Sequence, residues 1–314
     1  MPLRIIFCGT PEFAVPSLRH LIAQPDLKIE AVVTQPDRPR GRGQALAISP
    51  VKEVAVETGL GIFQPQKMRA PEALDFFANA APDAVVIIAY GQIIPQRLID
   101  IPRLGWINLH GSLLPKYRGA APMQWAIANG EARTGLTTMN IEAGLDTGPM
   151  LLKYRAPIGP DETAPELSAR LAEAGAPLIA ETLRRLDRGE ITPEPQDSSQ
   201  ATLARPLKKE DGRIDWSLSA RKIYNRIRGF DPWPGAFTTF RGKTCHVWAK
   251  PAPPGAPSSG DAGAIVVRGN DTFVICGEET ALRTEFVQLE GRKRVTAVEF
   301  ANGARLAPGD RFDS

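Results

Sequence analysis

Short runs of apolar residues alternate with helical segments in the first half of the chain. The strongest run, Asp83–Tyr90 (DAVVIIAY), is apolar after its first residue, which is typical of a strand buried on both faces. Segments such as Pro71–Asn79 repeat their apolar positions at helical spacing. The alternation predicts a Rossmann-like α/β domain, with helices on both faces of a mostly parallel sheet. Its strands are predicted at Leu3–Cys8, Lys28–Thr34, Ile62–Gln64, Asp83–Tyr90, Gly105–His110 and Leu136–Ile141.

The pattern changes near residue 190. Residues 190–205 are rich in Pro, Gln, Ser and Thr and lack periodicity, which predicts a linker. A basic amphipathic helix, Ser217–Phe230, and a series of short strands follow, and they predict a small OB-like β-barrel. We therefore expect one domain in residues 1–189 and a second in residues 206–314. The short strands are predicted at Ala236–Phe240, Thr244–Ala249, Ala264–Arg268, Thr272–Cys276 and Arg283–Leu289.

Composition places the chain among soluble proteins. Apolar residues make up 43% and charged residues 23%, and no apolar run approaches the length needed to cross a bilayer. The start of the chain lacks the features of a signal peptide. Three cysteines, far apart in apolar stretches, predict reduced core residues and neither a disulfide framework nor a metal site. We expect a cytoplasmic protein without a metal, a membrane contact or an obligate protein partner.

Charge is unevenly distributed along the chain. From Arg205 to the end there are 18 basic and 13 acidic residues, whereas the preceding part carries 20 basic and 22 acidic residues. A basic C-terminal part indicates a polyanionic partner, and a solvated surface is the alternative.

The single glycine after the first predicted strand does not indicate a dinucleotide site. The segment FCGTPEF carries one glycine where the dinucleotide fingerprint has three, so the backbone lacks the close approach that a pyrophosphate needs. A Walker phosphate loop is also absent from the sequence. A plain turn from strand to helix is the better interpretation.

The segment GWINLHGSLLPKYRGAAP carries the densest polar chemistry. Asn108 and His110 are two positions apart, so on an extended strand end their side chains point to one face. An amide can donate a hydrogen bond to the oxyanion of an acyl-transfer intermediate, and an imidazole can handle the proton. The alternative is a buried histidine satisfied by backbone groups, with Asn108 in a turn.

Asp146 stands in a glycine-flanked loop, Gly144–Gly148 (GLDTG), and could approach His110, orient it and favour its charged form. The Asp-Thr-Gly triplet also occurs in aspartic proteases. That activity needs a second triplet or an all-β homodimer, and the α/β pattern offers neither. The G-x-S-x-G motif is absent, and the remaining histidines, His20 and His246, lack such a setting.

A basic loop follows the second predicted strand. Arg38, Arg40 and Arg42 alternate in TQPDRPRGRGQ, a segment rich in proline and glycine. Arginine's planar fork suits phosphates and base edges, so the loop could hold a nucleic acid. A solvated turn is the alternative.

Several motifs together resemble the methionyl-tRNA formyltransferases, a branch of the folate-dependent formyltransferase family. They are FCGTPEFAVPSL, TQPDRPRGRGQ, AYGQIIP, NLHGSLLPKYRGAAP, GLDTGPML and RIDWSLSARKIYNRIRGFDPWPGA, and they cover nearly the whole chain. The asparagine, the histidine, the SLLP run and the aspartate are shared across the wider family, which includes enzymes acting on sugar nucleotides. The opening motif and the arginine loop are closer to the tRNA branch.

The resemblance implies formyl transfer from 10-formyltetrahydrofolate to the α-amino group of methionine on initiator methionyl-tRNA. A formyltransferase acting on a sugar nucleotide or another small amine, and a non-catalytic tRNA-binding protein, remain alternatives. The resemblance also implies roles for the matching residues. The implied catalytic residues are Asn108, His110 and Asp146; the folate contacts are Ser112, Leu113, Leu114, Pro115, Ile88, Tyr90 and Gly91; and the tRNA contacts are Arg38, Arg40, Arg42, Lys208, Lys209 and the helix Lys222–Arg228. Residues 1–189 would then form the catalytic domain and residues 206–314 a tRNA-binding domain.

Overall fold

The computed structural model of this chain describes residues 1–40 and 45–313, with the side chains of residues 39, 40, 45 and 46 excepted. Its contacts divide the chain into two compact units. The first comprises residues 1–122, 133–157 and 167–205, and the second comprises residues 123–132, 158–166 and those from 206 onward. The residues of the predicted linker, 190–205, thus belong to the first unit.

The strands of the first unit are β1 (Leu3–Gly9), β2 (Leu27–Val33), β3 (Arg38–Arg40), β4 (Ala45–Ala47), β5 (Ile62–Phe63), β6 (Ala84–Ile88), β7 (Trp106–His110), β8 (Arg118–Gly119), β9 (Arg133–Asn140), β10 (Met150–Pro157) and β11 (Leu203–Ala204). The helices that precede residue 190 are α1 (Val15–Ile22), α2 (Pro50–Glu57), α3 (Pro71–Ala80), α4 (Gln96–Ile99), α5 (Pro122–Ala128) and α6 (Ala164–Asp187).

Seven of these strands form one sheet in the order β10-β9-β7-β6-β1-β2-β5. The five strands from β7 to β5 are parallel, and β9 and β10 add an antiparallel edge. The predicted mostly parallel α/β class is therefore confirmed. The strand β10 escaped prediction because charged and aromatic residues interrupt its apolar pattern, and only Met150 and Ala156 in it are buried.

The strand order reverses beside β1, whose neighbours are β2 and β6. Loops that leave two adjacent parallel strands in opposite directions open a crevice at the carboxyl edge of the sheet. Gly9 ends β1 there, and a Cβ atom on it would lie 2.9 Å from the Phe7 ring and 3.2 Å from the carbonyl oxygen of Ile88. The close packing of the strands therefore requires a glycine at this position, and no bound pyrophosphate is needed to explain it.

The interior of this sheet is apolar on both faces. Residues 5 to 8 of β1 and most of β6 are buried, as the continuous apolar runs predict. Cys8, Cys245 and Cys276 are all unpaired and buried, as expected of core residues. Burial raises the pKa of the Cys8 thiol well above its usual value.

The second unit is built on an antiparallel sheet in the order β12-β13-β16-β15-β14, with β17 paired to β16. Trp216 and Phe312 stack in its core with ring centroids 5.7 Å apart, and Phe240 packs edge-on against Phe312. The predicted small C-terminal β domain is confirmed. Its elements are α7 (Ala220–Gly229), β12 (Phe237–Phe240), β13 (Lys243–Pro251), β14 (Ile265–Arg268), β15 (Asp271–Cys276), β16 (Thr280–Leu289), β17 (Val295–Thr296) and α8 (Ala297–Ala304).

Among residues 1–40 and 45–313, no helix combines the length and apolar character needed to span a membrane. Within the same ranges, no group of three or more His, Cys, Asp or Glu side chains is arranged to hold a metal ion.

Candidate active site

His110 ends β7 and lies beside Asp146. Nδ1 of the imidazole is 3.6 Å from Asp146 Oδ2, and the histidine is only 5% exposed. On the other side of the ring, Nε2 is 2.9 Å from the backbone carbonyl oxygen of Tyr117. Nε2 thus meets an acceptor at hydrogen-bond distance, whereas Nδ1 faces the carboxylate at ion-pair distance. The structure thus brings two of the predicted catalytic residues together.

The backbone conformation of Asp146 and the contacts of its side chain both fix the loop that carries it. Asp146 has a φ of +50°, in the left-handed region that few residues other than glycine adopt. Its Oδ2 accepts a hydrogen bond of 2.8 Å from the backbone N–H of Gly119. Gly148 lies so close to β9 that a Cβ atom on it would be 1.9 Å from the carbonyl oxygen of Asn140. Gly148, the second glycine of GLDTG, therefore allows the loop to pack against the sheet.

Asn108 is the third predicted catalytic residue. It lies two residues before His110 on β7, where it pairs with Ile87 of β6 and Met139 of β9. Asn108 is half-buried. Because residues two apart on a strand share a face, its amide and the imidazole of His110 lie on the same face of the sheet.

The SLLP run forms a tight, internally bonded turn after β7. The hydroxyl of Ser112 is buried and donates to the carbonyl oxygen of Lys116 at 2.6 Å. Thr137 Oγ1 accepts from the backbone N–H of Leu114 and donates to the carbonyl oxygen of Ser112. Leu114 lies in a small apolar cluster, whereas Leu113 and Pro115 are half-buried. The serine and Leu114 side chains thus hold the turn, and a folate contact by this run remains a prediction.

The chain after β6 follows an unusual path. Ile88 is fully buried, Ala89 has a φ of +48° and Gly91 has a φ of +84°. Tyr90 points inward: it is 2% exposed, and among the described residues its hydroxyl has no hydrogen-bond partner. Burial raises the pKa of Tyr90 strongly. Non-glycine residues in the left-handed region cluster at functional sites, so this segment is a candidate ligand contact through its backbone.

A cavity of about 1390 Å³ opens at the carboxyl edge of the sheet. Thr10, Gln35, Arg38 and Gly91 contribute to its lining, from the segments that follow β1, β2 and β6. His110 does not line it, but β7, which His110 ends, is the strand next to β6, and the residues that follow β6 do line it. The cavity therefore lies beside the histidine at the same edge.

Sequence reasoning missed the glutamines that order this edge. Gln35 Nε2 donates to the carbonyl oxygen of Tyr90 at 2.9 Å, and Gln64 Nε2 donates to the carbonyl oxygen of Gln35 at 2.9 Å. Gln92 contacts the Gln35 amide oxygen at 3.4 Å. Glutamine itself signals no chemistry, and only the position of Gln35 directly after a parallel strand could have singled it out.

The arginine loop starts from a fixed base. Asp37 accepts from Lys52 Nζ at 2.5 Å and from Gln64 at 2.9 Å, and the hydrogen bond from Lys52 is the main cause that lowers the pKa of Asp37. Arg38 is exposed and lines the cavity. The predicted contacts of Arg42 and of the Arg40 side chain lie outside the described residues.

Basic residues of the second unit differ in availability. Lys208 and Lys209 are exposed, as tRNA contacts would need to be. Arg228 is buried, and its guanidinium donates to the carbonyl oxygens of Gly159 and Glu162. Burial lowers the pKa of Arg228, and the side chain is not available to a phosphate. The amphipathic pattern of α7 could not reveal that this cation points inward.

Solved structures share this fold. The sugar 3N-formyl transferase WlaRD aligns with a TM-score of 0.65 at 17% identity, over 93% of this chain and 100% of that one. HypX from Aquifex aeolicus, solved in complex with tetrahydrofolic acid, aligns with a TM-score of 0.63 at 16% identity, over 100% of this chain and 51% of that one. At these identities the likeness establishes the fold alone.

Sequence relatives are much closer. The family described as formyl transferase matches residues 3–183, and its C-terminal domain matches residues 206–305. A methionyl-tRNA formyltransferase of Solibacter usitatus is 55% identical, over 99% of this chain and 98% of that protein. One of Geobacter metallireducens is 51% identical, over 99% of this chain and 98% of that protein. This chain belongs to the formyl transferase family.

Proposed function

We propose that this enzyme transfers the formyl group of 10-formyltetrahydrofolate to the α-amino group of methionine on initiator methionyl-tRNA, in the cytoplasm, for translation initiation. The observation that carries the proposal is 55% identity to a methionyl-tRNA formyltransferase over 99% of the chain. The site supports the chemistry, because a buried His110–Asp146 pair lies beside a large cavity at the carboxyl edge of the sheet.

A sugar-nucleotide substrate is the weaker candidate. The sugar formyl transferase that shares the fold is only 17% identical to this chain. The basic loop between β2 and α2 places at least one exposed arginine, Arg38, at the rim of the cavity, where a polyanionic substrate would enter.

The folate acts as formyl donor: it supplies the electrophilic carbon and the nitrogen that leaves. The cavity exceeds the roughly 300–1,000 Å³ of ordinary ligand pockets, so it has room for a folate and for the end of a charged tRNA. The backbone of Ile88, Tyr90 and Gly91 would hold the donor, together with the turn formed by residues 112–115. Carbonyl and N–H groups exposed by the positive φ values of Ala89 and Gly91 suit the polar edge of a pterin ring.

In the reaction the amino nitrogen forms a bond to the formyl carbon, and the bond from that carbon to the folate nitrogen breaks. Asn108 donates its amide N–H to the oxyanion that develops between these two steps. His110 carries the proton that the amine loses and that the leaving nitrogen gains. Asp146 keeps the ring oriented and stabilises its charged form.

The direct test is formyl transfer by the purified chain alone, from 10-formyltetrahydrofolate to methionyl initiator tRNA. Free methionine, uncharged tRNA and an amino-sugar nucleotide serve as comparison acceptors. Product with the charged tRNA only is the expected result. Product with the amino sugar, or no product from folded protein with any acceptor, contradicts the proposed substrate.

A further inference from the structure

The segment that the sequence presented as a linker contacts the active site at two points. Residues 194–204, here called the strap, run past the Asp146 loop and then along the turn that follows β7. At one end, Glu194 and Met150 exchange two backbone hydrogen bonds of 2.8 Å each. At the other end, β11 pairs in parallel with β8, which consists of Arg118 and Gly119.

The first contact is through Gln196. Its Nε2 donates to the carbonyl oxygen of Asp146 at 2.8 Å and to that of Gly148 at 2.7 Å. Its Oε1 accepts from Arg118 Nε at 2.9 Å. One amide thus ties together two carbonyls of the loop that carries the carboxylate beside His110 Nδ1.

Arg118 gives a reason to regard this contact as functional. The side chain is only 7% exposed, and among the described residues its Nη2 has no hydrogen-bond partner. A buried guanidinium that is only partly satisfied costs stability, and an apolar side chain would avoid that cost. Arginine at this position instead orients the Gln196 amide, because an N–H donor at Oε1 forces the NH₂ group towards the two carbonyls.

The second contact is through Thr202. Its Oγ1 accepts from the backbone N–H of Tyr117 at 2.8 Å, and its carbonyl oxygen accepts from the N–H of Arg118 at 2.8 Å. Tyr117 has a φ of +59°, a strained conformation that persists only where neighbouring contacts hold it. The carbonyl of this residue is the group that meets His110 Nε2.

We propose that the strap positions the catalytic histidine by fixing both groups that flank its ring, Asp146 through Gln196 and the Tyr117 carbonyl through Thr202. Gln196 and Thr202 are positioning residues, since neither contacts His110 directly. The inference rests on the proposed function, in which His110 and Asp146 are catalytic. Displacement of a catalytic group by about 1 Å can cost 10²-fold in rate, so the strap contributes to turnover without contributing to substrate binding.

The test measures single-turnover formyl transfer, KM and thermal unfolding for strap variants. We expect Gln196→Ala to lower the rate on the order of 10- to 100-fold with KM for both substrates within about threefold. Thr202→Val, which keeps the shape and removes the hydroxyl, lowers the rate about tenfold, and Thr202→Ser restores it. Gln200→Ala is the matched control in the same segment, because Gln200 is exposed and its side-chain amide donates to Asp197 at 2.7 Å; it leaves the rate unchanged.

A double-mutant cycle separates this inference from the proposed function. If Gln196 acts through Asp146, the Gln196→Ala change lowers the rate less than about twofold in an Asp146→Asn background. Equal losses in both backgrounds, or a normal rate in Gln196→Ala, overturn the positioning role while the proposed function stands. A normal rate in Asp146→Asn itself overturns the catalytic assignment. Should Gln196→Ala unfold at a lower temperature, the rates of Gln196→Glu, Thr202→Val and Thr202→Ser test the proposal instead, because these substitutions keep the local volume.

Discussion

Removing the charge of Asp146 is the most informative single change at the site. Asn is the appropriate replacement because Asp146 has a φ of +50°, a conformation that asparagine tolerates and alanine disfavours. An asparagine Oδ1 can still accept from the Gly119 N–H, so the loop keeps its anchor. The substitution therefore isolates the negative charge beside His110.

The expected magnitude follows from the distance. The carboxylate is 3.6 Å from His110 Nδ1 and its side chain is 15% exposed, so the pair is only partly screened by solvent. At an effective dielectric constant of about 20, two unit charges at that distance attract by about 4.6 kcal/mol. When the ring becomes charged during the reaction, losing this attraction corresponds to a fall in turnover of about 10³-fold.

The assay is formyl transfer at saturating donor and charged tRNA, with KM measured separately. We expect kcat to fall about 10³-fold while KM for the tRNA changes less than about threefold. Asp100→Asn is the matched control, since Asp100 is an exposed carboxylate in the same unit that accepts from Gln96. A kcat within tenfold of normal refutes the electrostatic role of Asp146. So does a loss that circular dichroism traces to unfolding.

Three further changes test other parts of the molecule. Asn108→Ala is expected to lower kcat on the order of 100- to 1000-fold, because an oxyanion donor acts only in the transition state; a change confined to KM would indicate ground-state binding instead. Arg38→Ala is expected to weaken tRNA binding and to reduce the slope of log affinity against log salt by about one, measured by filter binding at several salt concentrations. Arg228→Ala is expected to lower the free energy of unfolding by about 3 kcal/mol in a urea titration, because two backbone carbonyls lose a charged donor.

Each of these has a control. For Asn108→Ala, a circular dichroism spectrum and melting curve like those of the unaltered enzyme exclude unfolding. Lys28→Ala removes an exposed cation on β2 that pairs with Glu30, and it should leave the salt slope unchanged. Arg221→Ala, an exposed arginine on α7, should leave the unfolding free energy within about 0.5 kcal/mol. Equal effects for Arg228 and Arg221 would contradict the role assigned to the buried guanidinium.

Elements with a strong local signal were predicted well. The apolar runs located β1, β2, β6 and β7 to within about two residues at each end, since strands buried on both faces are mostly apolar. The two-residue strands β8 and β11 carry no such signal. They form because the backbone groups of Arg118 and Gly119 meet those of residues 202–204, more than 80 positions later in the chain.

The candidate site likewise has features that the sequence indicated and contacts that it did not. The residue types and the spacing of Asn108 and His110 indicated acyl-transfer chemistry, and the glycines around Asp146 indicated a constrained loop. Neither pattern showed that the Tyr117 carbonyl meets His110 Nε2, or that Gln196 holds the loop. Both contacts are made to backbone carbonyl groups, which every sequence contains in abundance.

The sequence by itself determined the α/β class, the small C-terminal β domain, the family and the residue types of the chemistry. Each of these depends on side-chain properties repeated along a short stretch of chain. Only the tertiary structure decided that residues 190–205 belong to the first unit, that Arg228 points inward and that glutamines order the cavity edge. Those outcomes depend on which polar groups meet across long sequence separations, and a hydrogen bond between distant groups leaves no periodic trace in the residues that form it.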